Sequence, residues 1–249
     1  MTSITLKQLT IGLALSAVSF QVFAIPTTYD GITFPGGDVS FADSVIRYDN
    51  TYGGGLGSGA APTNVNFLDP DAALGAPDYP DTAAPGTGSV SLGSGGLIQL
   101  LFSDNLLTNS GDNNNDLHVF EIGPDVENTF VAIRPTADTL SLFAGSFSGL
   151  VINDGFFGIG KVFGATSSID IDSIFGGFAA GQLTFDAVQL IDEKSEGQSS
   201  GLTVGADIDA VGAIFSAPPV VKVPEPGSLA LLAGGLLLSS LVRLSRNAK

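Results

Sequence analysis

The sequence predicts an all-β protein: a single jelly-roll-like β-sandwich flanked by an N-terminal signal helix and a C-terminal transmembrane helix. Three observations predict it. Apolar stretches between residues 25 and 216 are short, often alternating, and broken about every ten residues by Gly, Asn, Asp or Pro, the rhythm of strands and turns. No segment between the two ends keeps a helical period over several turns. Each end carries a longer apolar run with basic residues on one flank.

At the N-terminus Lys7 supplies a small positive region. Leu9–Val18 is largely apolar, and Val22-Phe23-Ala24 has the small-x-small form of a cleavage site. This pattern predicts a signal peptide over residues 1–24, cut between Ala24 and Ile25. The sandwich is expected over 25–216. A Pro-rich tether, extended and semi-rigid, follows over 217–223.

At the C-terminus Val223-Pro224-Glu225-Pro226 leads into the apolar run Gly227–Val242, and Arg243, Arg246 and Lys249 follow. An apolar segment backed by cations is a membrane stop. Its 16 residues fall just under the roughly 17–25 of a spanning helix, a difference that snorkelling and local thinning absorb. The prolines on either side of Glu225 hold its backbone extended and keep helix from propagating upstream. A protease needs such an extended stretch.

Residues 25–222 hold five basic and 24 acidic residues, a net charge of −19. Such a surface repels nucleic acid and anionic lipid, which excludes nucleic-acid binding. It attracts cations, and Ca²⁺ is the expected one because it prefers carboxylate and carbonyl oxygens. No cysteine is present, so no disulfide framework supports the exported domain.

Strands are expected at Val45–Asp49, Gly96–Phe102, Asp116–Ile122, Thr129–Arg134, Leu140–Phe143, Gly158–Val162, Ser168–Ile171, Leu183–Ile191 and Ile208–Phe215. Tyr52–Gly96 is rich in Gly, Ala, Pro and Ser and reads as long loops. One helical turn is expected at Ala72–Leu74, after Asp69-Pro70.

Strand alternation places Leu117, Val119 and Glu121 on one face and His118, Phe120 and Ile122 on the other. It likewise puts Asp207, Asp209, Val211 and Ala213 together. Glu121 and Asp209 thus continue small apolar faces, where an unpaired carboxylate is expensive. If the two strands are neighbours, the two carboxylates meet at a cation or at backbone N–H groups. The alternative is that both sit at strand ends in water. Asp112–Asp116 carries oxygen side chains at alternate positions but lacks the glycine and distal Glu of an EF-hand. It reads as a simpler Ca²⁺ loop or a polar turn. Asp69-Pro70-Asp71 is a comparable loop. The candidate metal ligands are therefore Asp69, Asp71, Asp116, Glu121, Asp207 and Asp209. Catalysis has little support: His118 is the single histidine, no Gly-x-Ser-x-Gly elbow or cysteine exists, and the familiar triads and zinc sites lack parts.

The C-terminal order of Pro224-Glu225-Pro226, apolar run and basic end resembles the PEP-CTERM sorting signal. The resemblance implies that an exosortase-type transpeptidase reads Pro224, Glu225 and Pro226 and cleaves nearby. Four further segments resemble a sandwich module of exported PEP-CTERM proteins: Ala72–Asp78, Asp116–Glu127, Gly164–Asp172 and Gly205–Ile214. That resemblance covers roughly residues 43 to 216 and implies a galactose-binding-like, discoidin-related sandwich. Arg134–Gly158 departs from it with a longer Phe-, Ser- and Gly-rich insert.

The expected function is that of a non-enzymatic, exported surface or matrix protein. It is held to the membrane by the C-terminal helix before processing and associates with extracellular polysaccharide. The competing reading is a secreted carbohydrate-active enzyme using two carboxylates.

Overall fold

In a computed structural model the described residues are 24–53, 61–80, 86–123, 127–143, 152–163, 166–194 and 201–218. The signal segment before Ala24, the glycine run Gly54–Gly59, and the C-terminal motif and apolar run lie outside them. Among the described residues no helix is long and apolar enough to cross a membrane.

Over the described residues the chain is all-β, with several antiparallel sheets and one short α-helix. Its strands are β1 (Thr27–Tyr29), β2 (Ile32–Phe34), β3 (Ser44–Asp49), β4 (Val90–Ser91), β5 (Leu97–Leu101), β6 (Leu106–Thr108) and β7 (Leu117–Glu121). Then come β8 (Asn128–Pro135), α1 (Ala137–Phe143), β9 (Ile152–Asn153), β10 (Phe156–Phe163), β11 (Thr166–Ile169), β12 (Thr184–Asp192), β13 (Asp207–Ala213) and β14 (Ser216–Ala217). The larger sheet is organised by β12. One edge of it pairs with β8, and the other with β6 and then β5. Beyond β5 lies β3, beyond β6 lies β14, and beyond β8 lie β10 and β9. The smaller sheet runs β11-β7-β13-β4.

One apolar cluster draws from both sheets: Ile98, Leu100, Val131, Ile133, Val188 and Leu190 from the larger, and Leu117, Val119, Ile208 and Val211 from the smaller. Burying each such side chain contributes about 1.5–3 kcal/mol. A second cluster lies on the other face of the smaller sheet. There the β1–β2 hairpin lays Phe34 and Tyr29 over Phe120, Ala210 and Phe41. The alternation read for Leu117–Ile122 therefore holds, with Leu117 and Val119 in the first cluster and Phe120 in the second.

Eight of the nine expected strands overlap observed ones. The ninth does not: Leu140–Phe143 is the second half of α1. Thr136 caps it, its Oγ1 accepting from Thr139 N and its carbonyl from Leu140 N. Thr139 and Phe143, four apart, are the buried pair, the spacing of a helix face rather than a strand face. The turn after Asp69 is a 3₁₀ helix over Pro70–Ala73, with Asp69 Oδ1 accepting from Asp71 N at 3.1 Å.

Candidate functional site

The six candidate ligands fall into separate places. Asp69 and Asp71 stay together in the capped loop, where Asp71 is exposed. Asp116 is fully buried and meets Asp170 and Asp172, with one carboxylate oxygen of each within 4.8 Å of the others. These oxygens already have work. Asp116 accepts from Ser110 N and Ile171 N, each at 2.7 Å. Asp172 accepts from Asn109 Nδ2 at 2.8 Å and Gly111 N at 2.7 Å. Burial pushes the Asp116 carboxyl up to about 6, against the pull of those hydrogen bonds. The Asn-rich loop is thus pinned by a carboxylate serving as a backbone tie.

β7 and β13 are neighbours, as the strand reading required. The pairing within them differs from the expected one. A bulge between Ile208 and Ala210 shifts the register, and it turns Asp209 off the face that Glu121 occupies. Asp209 Oδ1 accepts from Asp78 N at 3.1 Å, with Asp78 and Asp30 as its acidic neighbours. Glu121 instead senses Glu127, Asp192 and Asp207. The charge felt at Glu121 is that of Asp207, not that of Asp209.

Glu121 is 4% exposed, and its Oε2 has no hydrogen-bond partner. Burial first, then the charges of Glu127, Asp192 and Asp207, push its carboxyl up to about 8. It therefore carries a proton at neutral pH. Asp207 rises to about 6, mainly through burial, while a short hydrogen bond from Ser91 Oγ opposes the rise. Asp192 ties two loops by accepting from Gly95 N at 2.8 Å and Ala206 N at 2.9 Å.

His118 lies under the hairpin, 3% exposed, edge-on to Phe120 at 4.5 Å. Its Nδ1 pairs with Ser168 Oγ at 2.6 Å. Burial holds its pKa down at about 4, so it is a neutral structural ring out of reach of substrate.

The feature the sequence reading missed is the outer face of the larger sheet. Ile98, Leu100, Val188, Leu190, Val131 and Ile133 point into the core, so their alternates point out. The registers align Arg47, Gln99, Gln189, Ala132 and Gly158 in one lateral row. The next row is Asp49, Leu97, Ile191, Phe130 and Lys161. β10 bulges between Gly158 and Gly160, and a methyl built on either would touch nothing within 4 Å. Bare backbone there leaves a trough of about 450 Å³ lined by Phe130, Phe156, Lys161, Gln189 and Ile191. A second trough of about 430 Å³ shares Phe130 and Ile191 and reaches Tyr52 and Lys194. Gln99 Nε2 donates to Gln189 Oε1 at 2.8 Å. Gly158-Ile159-Gly160 inside a strand pattern was the available signal, since strand glycines mark bulges and sites of close approach.

Comparisons with protein-family models, with curated proteins and with solved structures find no match.

Proposed function

We propose that the chain is the precursor of an exported, non-enzymatic surface or matrix protein whose sandwich, jelly-roll-like in plan, binds polysaccharide. The carrying observation is the double trough on the larger sheet. It is open and lined by glycine backbone, and Phe130, 42% exposed, lines both of its halves. A ring face carries negative charge density and matches the weakly positive C–H face of a sugar. Amides and ammonium groups beside it match hydroxyls. In this reading the N-terminal segment directs export, and Pro224, Glu225 and Pro226 direct sorting by an exosortase-type enzyme while the following run holds the membrane.

The competing enzyme reading asks for two carboxylates facing one cleft. In the second trough Asp192 accepts from two backbone N–H groups and Glu193 pairs with Lys161. Neither is placed as an acid or base, which favours binding. For the Ca²⁺ expectation, the support is the orphaned Oε2 of Glu121 beside Asp207, a hard oxygen ligand without a partner.

The test is retention of the purified protein on a panel of immobilised neutral and acidic polysaccharides, beside Phe130→Ala. Binding to at least one polymer, weakened by the substitution, is expected. Retention on none overturns the reading.

A further inference from the structure

We infer that the trough on the larger sheet selects a carboxylated glycan, one bearing uronic-acid residues; this rests on the polysaccharide-binding reading above. Positive charge gathers on this face. Only five Lys and Arg residues lie between positions 25 and 222, against 24 acids. The four among the described residues all sit on or beside this one face. Arg47 lies in the lateral row with Gln99 and Gln189, and Lys161 lies beside Phe130. Arg134 stands over Phe156, and Lys194 lines the second trough.

Three of the four also share one arrangement, a cation over a ring. The Arg47 guanidinium lies 5.0 Å from the Tyr52 ring, that of Arg134 lies 5.6 Å from Phe156, and Lys161 Nζ lies 4.4 Å from Phe130. Each is also paired with an acid at its edge: Arg47 with Asp49, Arg134 with Asp186 and Lys161 with Glu193. All six side chains are between 20% and 40% exposed. Such partly exposed pairs hold weakly and exchange partners readily. A ligand carboxylate can take an acid's place while its sugar ring meets the neighbouring aromatic face. Elsewhere the domain's acids, which outnumber its bases almost five to one, repel a polyanion. This face, where cation and acid balance, is where one can lie down. The two adjoining troughs suit an extended chain rather than a single sugar.

The experiment compares polygalacturonate with its fully methyl-esterified form, a matched uncharged polymer. It uses EDTA throughout, so that Ca²⁺ cannot bridge polymer to protein. The protein should bind the free acid at least about tenfold more tightly, with the advantage shrinking at high salt as screening grows. Arg134→Gln with Lys161→Gln should equalise the two polymers, and Lys161→Gln alone should narrow the gap. Phe130→Ala should weaken both. Equal affinity of the native protein for the two polymers overturns the acidic preference and leaves polysaccharide binding standing. A preference untouched by the double substitution overturns the assignment to this face. Binding only to other, neutral polymers of the panel overturns the inference alone, and binding to no polymer overturns both it and the reading beneath it.

Discussion

Gly212 and Phe34 touch so closely that a methyl group built on the glycine would lie 2.5 Å from Phe34 Cε1. Phe41 Cε1 would be 2.9 Å away. The missing side chain on β13 is what lets the β1–β2 hairpin lie flat on the smaller sheet. Gly212→Ala should destabilise the domain by about 1–3 kcal/mol through overpacking. Thermal melting checks the loss. If the hairpin lifts as expected, His118 gains water and its pKa, followed by NMR, rises from about 4 toward its ordinary value.

Glu121 sets a pH dependence with a definite sign. Its folded pKa of about 8 lies above its ordinary 4.5, so the folded state holds a proton that the unfolded chain releases. The resulting stability is fully present below pH 4.5 and is lost as pH rises through 8. Asp116, Asp207 and Asp209, each raised to about 6, act with the same sign at lower pH. His118, lowered from 6.5 to about 4, acts oppositely, its stability being lost as pH falls. Of these five groups Glu121 changes charge most between pH 6.5 and 8. Over that window the native protein should lose about 2 kcal/mol, and Glu121→Gln should remove most of the slope. Denaturant titrations at several pH values measure both.

Calcium should act through the same carboxylate. A ligand must be deprotonated to bind a metal, so a Ca²⁺-induced rise in melting temperature should grow from pH 6 to pH 8. Ca²⁺ at a hundred times its Kd would stabilise by about 2.7 kcal/mol. Glu121→Gln should abolish the rise. Melting curves in EDTA and in millimolar Ca²⁺ that coincide at matched ionic strength rule the ion out.

Asp116→Ala should be among the most damaging single changes. It removes two hydrogen bonds at 2.7 Å and leaves Ser110 N and Ile171 N unpaired, at a cost of about 3 kcal/mol. Because its oxygens are already committed to backbone, the loss should be the same with and without Ca²⁺. A Ca²⁺-dependent difference would make the Asn-rich loop a metal site after all.

Under the sorting proposal, mass spectrometry of the mature envelope protein should find no peptide from Leu229 onward. Recovery of the terminus Arg246-Asn247-Ala248-Lys249 would overturn the proposal.

The long alternating strands were readable because burial on one face imposes a period of two. β10 comes nearest to that period, whereas β5 and β7 are buried almost throughout and were readable from their apolar content and the turn residues around them. The two shortest hairpins had a signal that went unused. Asp30-Gly31 and Asp154-Gly155 both take positive φ, at 48° and 79° and at 51° and 86°, the Asp-Gly turn that joins β1 to β2 and β9 to β10. α1 was misread because Leu140 to Phe143 is apolar and short, and the capping Thr136 upstream decides its shape. The site residues were harder. Pattern put Glu121 and Asp209 on small apolar faces but left the adjacency of their strands a condition, which the pairing of β7 with β13 meets. The bulge between Ile208 and Ala210 then separates the two carboxylates, and nothing in residue spacing announces that bulge. The outer face of the larger sheet hid for another reason: its row of Arg47, Gln99, Gln189 and Gly158 comes from four strands far apart in the chain.

β14 fixes how far the domain can stand from its own exit point. Ala217 is the last residue tied into a sheet among the described residues, through its pairing with Leu106. From there to Pro224 the chain advances seven residues, a reach of at most about 25 Å even fully drawn out. Under the sorting proposal, an enzyme that reads Pro224–Pro226 must therefore work within that reach of the domain's last paired residue. On that proposal the β6–β14 edge is the part of the domain tethered nearest the cut, and lengthening the leash by ten glycines and serines should speed cleavage.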